Sequence, residues 1–279
     1  MPELPEVEVI RRDLDREVAG KKIKAVEATG LRSIRRHKSK KAFISAVEGH
    51  TIKSVTRRGK YIVMRLDGDT ALVAHLGMSG RLLRAKNAKV PSPKHLHVVF
   101  TFSDNSQLRF VDPRTFGEMF VTSYLEIEDE VTELAHLGVD PLDEAMSWET
   151  FGRLITSRHT KLKTLLMDQK FVAGIGNIYS DEILFAAGLR WDRTADSLSA
   201  EEIRRLSRAI IETLNEAVKY RGSSLADEQY VDLFGQPGGF QDRHQVYDRE
   251  GKSCPRCYRT LVRARYSNRS TFFCEACQI

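Results

Sequence analysis

The stretch TIKSVTRRGKYIVMRLDGDTALVAHLGMSGRLL, residues 51–83, decides the fold. It is crowded with β-branched and aromatic residues, and Asp67-Gly68-Asp69 interrupts it, so it reads as strands over 51–66 and 71–83 joined by a turn. The same composition returns over 23–28, 95–103 and 107–123, with a second turn at Asp104-Asn105-Ser106. Successive strands without crossover helices pair antiparallel, which predicts a β-sandwich. The short apolar piece 42–47 fits a helix or a strand.

Outward from the strands the period changes. On the N-terminal side Val7, Ile10, Leu14 and Val18 recur at helical spacing, predicting a helix over 5–19 stopped by Gly20. On the C-terminal side an acidic stretch, 126–144, marks a boundary, and helices follow over 161–169 and 179–187 around the tight turn Val172-Ala173-Gly174-Ile175-Gly176-Asn177. Ser199 and Glu202 form a capping box for a long helix whose buried stripe is Ile203, Leu206, Ile210, Leu214 and Val218. Residues 221–245 carry Gly222, Gly235, Pro237, Gly238 and Gly239 and read as a mobile loop. The expected class is α+β, with an N-terminal sandwich over 2–135, a helical domain over 136–225, a loop over 226–245 and a metal-pinned hairpin over 246–279.

The C-terminal hairpin rests on the only four cysteines, Cys254-x2-Cys257 and Cys274-x2-Cys277, with 16 residues between the pairs. That is zinc-ribbon spacing: two knuckles bring four thiolates onto one Zn²⁺, which substitutes for a core that so few residues cannot build. Two disulfides are the competing reading, disfavoured in a reducing compartment. Between Gly251 and Cys274 stand six cations, Arg269 among them, and no acid, a surface suited to phosphates.

Composition bounds the rest. The 279 residues carry 44 Lys and Arg against 38 Asp and Glu, a net +6, and placement matters more than the sum. Residues 31–41 hold six cations and no acid, while 121–148 hold eight acids and no Lys or Arg. The longest stretch free of charge, 70–80, is 11 residues, too short to span a bilayer, and no apolar signal core opens the chain. The expectation is a cytoplasmic protein without membrane contact, and no surface feature argues for an oligomer.

The start, Met1-Pro2-Glu3-Leu4-Pro5-Glu6, reads two ways. Pro5 and Glu6 suit a helix's first turn. Alternatively, trimming Met1 makes Pro2 a free secondary amine beside a carboxylate, able to attack a sugar C1′ and form an iminium. A free α-amine titrates at about 7.7–8.0, so a usable fraction is neutral at pH 7.

Six motifs in order support the second reading: Pro2 to Glu8, Arg58-Gly59-Lys60-Tyr61, His75-Leu76-Gly77-Met78-Ser79-Gly80, Asp112-Pro113-Arg114-Thr115-Phe116-Gly117, Gly174-Ile175-Gly176-Asn177-Ile178-Tyr179 and the four cysteines. Over essentially its whole length the chain resembles the bacterial formamidopyrimidine-DNA glycosylases. The resemblance implies a β-sandwich framed by helices, a helix-two-turns-helix module and a zinc finger, with damaged double-stranded DNA as partner and one structural zinc as the only cofactor. It also implies a monomeric glycosylase and AP lyase that excises 8-oxoguanine and formamidopyrimidines. A sibling family with the same nucleophile acts on oxidised pyrimidines, and a non-catalytic zinc-ribbon DNA binder is the reading from another class. By resemblance Pro2 is the nucleophile, Glu3 the general acid, Glu6 a supporting carboxylate and Lys60 a phosphate contact that assists elimination. Met78, Arg114 and Phe116 fill the hole left by an extruded base. Asn177 and Arg269 grip phosphates, and His75, His95 and Lys163 match further DNA-contact positions. The loop 223–245 matches the one that closes over the flipped base; no residue of it is assigned a specificity role, and His97 has no assigned role.

Overall fold

The computed structural model describes residues 2–143, 147–225 and 230–279. Met1, whose removal the amine chemistry requires, lies outside the described residues, as do 226–229 of the expected lesion-covering loop. The chain divides into two compact units, Met1–Ala135 with Arg221–Gly239 and His136–Tyr220 with Phe240–Ile279.

In the first unit, α1 (Leu4–Val18) follows Glu3 as its N-cap residue and has Pro5 in its first turn, where a missing N–H costs nothing. Its buried face, Val7, Ile10, Leu14 and Val18, joins one core with side chains from both sheets, among them Val26, Phe100, Phe110, Met64 and Leu72. The strands are β1 (Ile23–Ala28), β2 (Ile52–Arg58), β3 (Tyr61–Leu66), β4 (Ala71–His75), β5 (Arg81–Ala85), β6 (Leu96–Phe102), β7 (Gln107–Val111) and β8 (Glu118–Thr122). They form two antiparallel four-stranded sheets, ordered β1-β6-β7-β5 and β2-β3-β4-β8. The piece at 42–47 resolves as a short helix, α2 (Lys40–Ser45), whose N-cap Ser39 hydroxyl accepts the Ala42 N–H.

Three of the expected strands differ from the structure in one way. The runs 51–66, 71–83 and 107–123 are each two strands, broken at Gly59-Lys60, at 76–80 and at 112–117. Glycines at positive φ, Gly59 at 53° and Gly77 at 60°, make the first two breaks. These breaks are the places where the sequence motifs lie.

Two short helices, α3 (Ile127–Glu130) and α4 (Thr132–Ala135), close this part. Their acids meet the cations upstream: Glu133 pairs with Arg36 at 2.9 Å, and Glu128 with Arg58. Arg35 and Arg36 both reach Glu118, at 3.0 and 2.7 Å, so half-paired cations rather than a bare phosphate-facing stripe occupy this part of 31–41. The described parts of 221–239 are tied down rather than loose. Arg221 bridges Asp13 of α1 and Asp232, and the Leu233 carbonyl accepts the Arg84 N–H at 2.8 Å.

The second unit holds α5 (Trp148–Thr156), α6 (Leu162–Leu166), α7 (Asn177–Ala187), α8 (Ala200–Lys219) and the hairpin β9 (Val262–Tyr266) and β10 (Arg269–Phe273). The helix expected over 161–169 is shorter, because the chain turns at Met167 and Asp168 toward the glycine-containing turn. The capping box of Ser199 and Glu202 opens α8, and its predicted stripe is buried. Helix α7 is buried on nearly all sides and packs on α8 and β10. Among the described residues no helix is long and apolar enough to cross a membrane.

Candidate functional site

Pro2 and Glu3 stand just before α1, at the positive end of its backbone dipole, and both are buried. The Glu6 carboxylate, 1% exposed, accepts the Glu3 N–H at 2.8 Å and the Ser223 N–H at 2.7 Å. One carboxylate thereby fixes both the start of the helix and a residue more than 200 positions away. The neighbouring Gly222 has φ +75°, and a Cβ there would stand 2.6 Å from the Glu6 Oε1, so only glycine fits. Gly238 in turn packs on Gly222: its Cβ would meet the Gly222 carbonyl oxygen at 2.2 Å.

Lys60 follows Gly59 in the two-residue turn between β2 and β3 and is 9% exposed. That turn is tethered to α1 by Arg57, which donates to Glu8 at 3.0 Å and to the Gly59 carbonyl at 3.1 Å. Burial works against the charged form of Glu8, but hydrogen bonds from Arg11, Arg12 and Arg57 outweigh it and bring its pKa down to about 2. An ionised Glu8 therefore holds the helix and the Lys60 turn together across the neutral range. His75 ends β4 across from Glu118, with its ring 4.6 Å from that of Tyr61. Burial, and to a lesser extent the Lys60 charge, push its pKa down to about 4, so at pH 7 it is a neutral donor or acceptor.

Met78 and Phe116 occupy two of the strand breaks and are 38% and 45% exposed, leaving apolar surface open to solvent on both turns. The Arg114 guanidinium lies 5.0 Å from the centre of the Phe116 ring. His95 is exposed at φ +60°, and its carbonyl accepts the Asp112 N–H at 3.0 Å.

The remaining residues belong to the second unit. Asn177 is the first residue of α7 and follows Gly176 at the N-cap, where outward N–H groups suit an anion. Lys163 is 3% exposed, and its ammonium is held by Asp181 at 2.6 Å and the Ser270 carbonyl at 3.2 Å. Asp181 also accepts Thr271 Oγ1 at 2.6 Å and the Phe272 N–H at 3.0 Å, so the structure places Lys163 where it fastens β10 to α7. Arg269 is exposed beyond a turn in which Ser267 and Asn268 both have positive φ.

The four cysteine sulfurs lie within 4.8 Å of one another, Cys254 to Cys277 at 3.8 Å and Cys257 to Cys274 at 3.4 Å. A tetrahedral ion with bonds of about 2.3 Å to sulfur spaces its ligands by about 3.8 Å, so the four cysteines could hold one metal ion. Glu182 accepts the N–H groups of Gln245, Val246 and Tyr247 at 2.8, 3.0 and 2.8 Å and anchors the approach to the first knuckle.

Several contributors carry no sequence signal. Glu8, Asp181 and Glu182 look like exposed helix acids, and only the fold shows them buried against distant partners. His97 acquires a place: its Nε2 donates to the Asp112 carbonyl at 2.9 Å. Gly222 was visible as a glycine but not as a neighbour of Glu6.

Residues 1–119 match the formamidopyrimidine-DNA glycosylase N-terminal domain, and residues 137–229 match the H2TH domain of the same family. A formamidopyrimidine-DNA glycosylase of Acidothermus cellulolyticus is 44% identical over 280 residues, covering all of this chain and 97% of the relative. That of Heliobacterium modesticaldum is 43% identical with both chains fully covered. Among solved structures, the MutM (Fpg) protein of Thermus thermophilus superposes with a TM-score of 0.88 at 41% identity, over 99% of this chain and 98% of the other. Lactococcus lactis Fpg, in complex with DNA containing N7-benzyl-Fapy-dG, gives 0.90 at 33% identity over 99% of each chain.

Proposed function

Since the chain belongs to the formamidopyrimidine-DNA glycosylase family, we propose that it is a base-excision repair enzyme that removes oxidised purines, 8-oxoguanine and formamidopyrimidines, from duplex DNA and then cuts the strand as an AP lyase. The observation that carries this reading is the buried start of α1, where Pro2 precedes Glu3, whose N–H is held by the Glu6 carboxylate. With Met1 removed, the Pro2 nitrogen attacks C1′, the bond from C1′ to the base breaks, and Glu3 protonates the departing sugar oxygen. The resulting iminium acidifies the C2′ proton; its loss expels the 3′ phosphate, and a second elimination expels the 5′ phosphate.

In the same reading Lys60 contacts phosphate beside the reacting sugar, and neutral His75 and exposed His95 add contacts. Asn177 and Arg269 bind phosphates, Lys163 holds the hairpin that presents Arg269, and Met78, Arg114 and Phe116 occupy the space of the extruded base. The metal ion is zinc: four cysteine thiolates with tetrahedral spacing suit it, and bound there it would close the two knuckles without taking part in the reaction. The enzyme works as a monomer in the cytoplasm, where its thiols stay reduced.

Borohydride trapping on duplexes containing 8-oxoguanine opposite cytosine, thymine glycol or an abasic site, with mass mapping of the adduct, tests this. An adduct at Pro2, strongest with 8-oxoguanine, is expected. Trapping with thymine glycol alone moves the assignment to oxidised pyrimidines, and no adduct from protein verified to lack Met1 removes the enzymatic reading.

A further inference from the structure

The turns bearing Met78 and Phe116 meet at a side chain to which the mechanism above gives no work. Asp112 is 0% exposed. Its carboxylate accepts the Ser79 hydroxyl at 2.5 Å from one turn, and the N–H groups of Arg114 at 3.1 Å and Gly117 at 2.7 Å from the other. Its carbonyl accepts His97 Nε2 at 2.9 Å and the Thr115 N–H at 3.3 Å. The backbones also touch: a Cβ on Gly77 would lie 2.6 Å from the Gly117 nitrogen, and one on Gly117 would lie 2.9 Å from the Leu76 carbonyl oxygen. Neither turn can shift without the other, because the glycines leave no slack and the carboxylate bonds both.

The second turn is strained. Thr115, between Arg114 and Phe116, has φ +55°, a conformation that β-branched residues adopt only when their surroundings impose it. Here Asp112 imposes it, by taking the N–H groups on either side. From the segment between β1 and α2, Arg35 adds a hydrogen bond to the Gly117 carbonyl at 3.2 Å. A side chain that must push into a stacked duplex meets resistance of a few kcal/mol per step, and a loose turn would yield rather than the base stack.

We propose that Asp112 is a positioning residue that locks residues 76–80 and 112–117 into one rigid body, so that Met78 and Phe116 enter the duplex together instead of as independent wedges. This rests on the glycosylase reading above. Asp112 touches no substrate in this account; it acts through Ser79 on one side and through Arg114 and Gly117 on the other. Extrusion should therefore depend on it while phosphate binding should not.

The test follows extrusion by stopped flow, with 2-aminopurine placed beside 8-oxoguanine in a duplex, alongside affinity for undamaged duplex and its salt dependence. For Asp112→Asn we expect extrusion slowed on the order of tenfold, the effect of losing hydrogen bonds to a charged acceptor, with undamaged-duplex affinity and salt slope at wild-type values. Ser79→Ala, which cuts only the link to the Met78 turn, should slow extrusion by about threefold at an unchanged melting temperature. If Asp112→Asn does not fold, Ser79→Ala carries the test. Wild-type extrusion in either folded variant overturns the proposal, as does a loss of extrusion and undamaged-duplex binding by one common factor. A wild-type protein that shows no lesion-dependent signal overturns the glycosylase reading itself, and this inference with it.

Discussion

Glu6 in the first unit and Glu182 in the second share an environment. Each is nearly inaccessible, at 1% and 3% exposure, and each accepts backbone N–H groups from a segment far along the chain. Glu6 binds Glu3 and Ser223; Glu182 binds three successive residues, 245–247. They differ in what lies beside them. Glu6 lies one turn from Pro2 and Glu3 and is packed on a glycine at positive φ, so its bonds fix the segment to which the proposed chemistry is assigned. Glu182 sits on a helix that is buried throughout, next to Asp181, whose partners are β10 and Lys163. Its bonds hold a scaffold. A buried carboxylate on a loop backbone is therefore not in itself a sign of chemistry; the neighbours decide.

Substitutions on the two sides should separate activity from stability. Glu3→Gln keeps the size of the side chain and removes the proposed proton donor, so single-turnover excision of 8-oxoguanine should fall by about 10²–10⁴, with the melting temperature little changed. Excision near the wild-type rate would leave the buried start of α1 as scaffold and erase the contrast with Glu182.

Acid should act on both units in one window. His75 in the first and His244 in the second each have a pKa lowered to about 4, mainly by burial, with Lys60 and Arg249 respectively adding to it. Unfolded, each titrates near 6.5. Between pH 6.5 and 4 the unfolded chain thus binds more protons, and stability falls as pH falls, by about 3 kcal/mol per histidine at pH 4. Glu8 has the opposite chemistry and a lower window: its contribution is complete above about 4.5 and fades only toward 2. Melting curves from pH 7 to 4 should show the decline beginning near 6.5, and His244→Gln should flatten it in the second unit. A flat profile down to pH 5 would contradict neutral buried histidines.

Glu182→Gln offers an amide where three N–H groups need an anion, and should cost roughly 2 kcal/mol. Urea melts should register that loss, while single-turnover excision at saturating enzyme should stay close to wild type. A fall in the chemical step comparable to that of Glu3→Gln would mean that the second unit does more than hold the hairpin.

The sandwich and α8 were legible because their signals are local: β-branched runs, two acidic turns, a capping box and a stripe at helical spacing. The breaks at Gly59-Lys60, 76–80 and 112–117 were harder, since the flanking residues on both sides are strand formers and each turn is made by a few residues, one or two glycines or, in the third, Asp112 with Pro113 and Gly117. The site divided in the same way. Pro2, Glu3, Lys60 and the cysteines stand in short motifs, whereas Glu118, Asp181 and Glu182 take their meaning from partners dozens of residues away. Lys163 shows the limit of reading by position: its place matches a DNA contact, yet its ammonium lies between Asp181 and a backbone carbonyl. Within 221–245 two of the glycines read as signs of mobility serve close packing instead, Gly222 against Glu6 and Gly238 against Gly222, while Gly235 has open space around it.

The smallest effect expected concerns the hairpin that Asp181 and Glu182 hold. Tyr258, directly after Cys257, has φ +63° and is 80% exposed, so it carries left-handed strain and buries little in return. Left-handed backbone costs an L-residue with a Cβ about 1–2 kcal/mol, and glycine avoids that while gaining some freedom in the unfolded chain. Tyr258→Gly should therefore stabilise the second unit by about 1 kcal/mol. The gain should appear in the metal-loaded protein and shrink when a chelator opens the knuckles, because the strain exists only while the cysteines hold that turn. An equal gain with and without metal would show that α7, through its two carboxylates, keeps the knuckle folded by itself, which would make Glu182 and not the ion the main support of the hairpin.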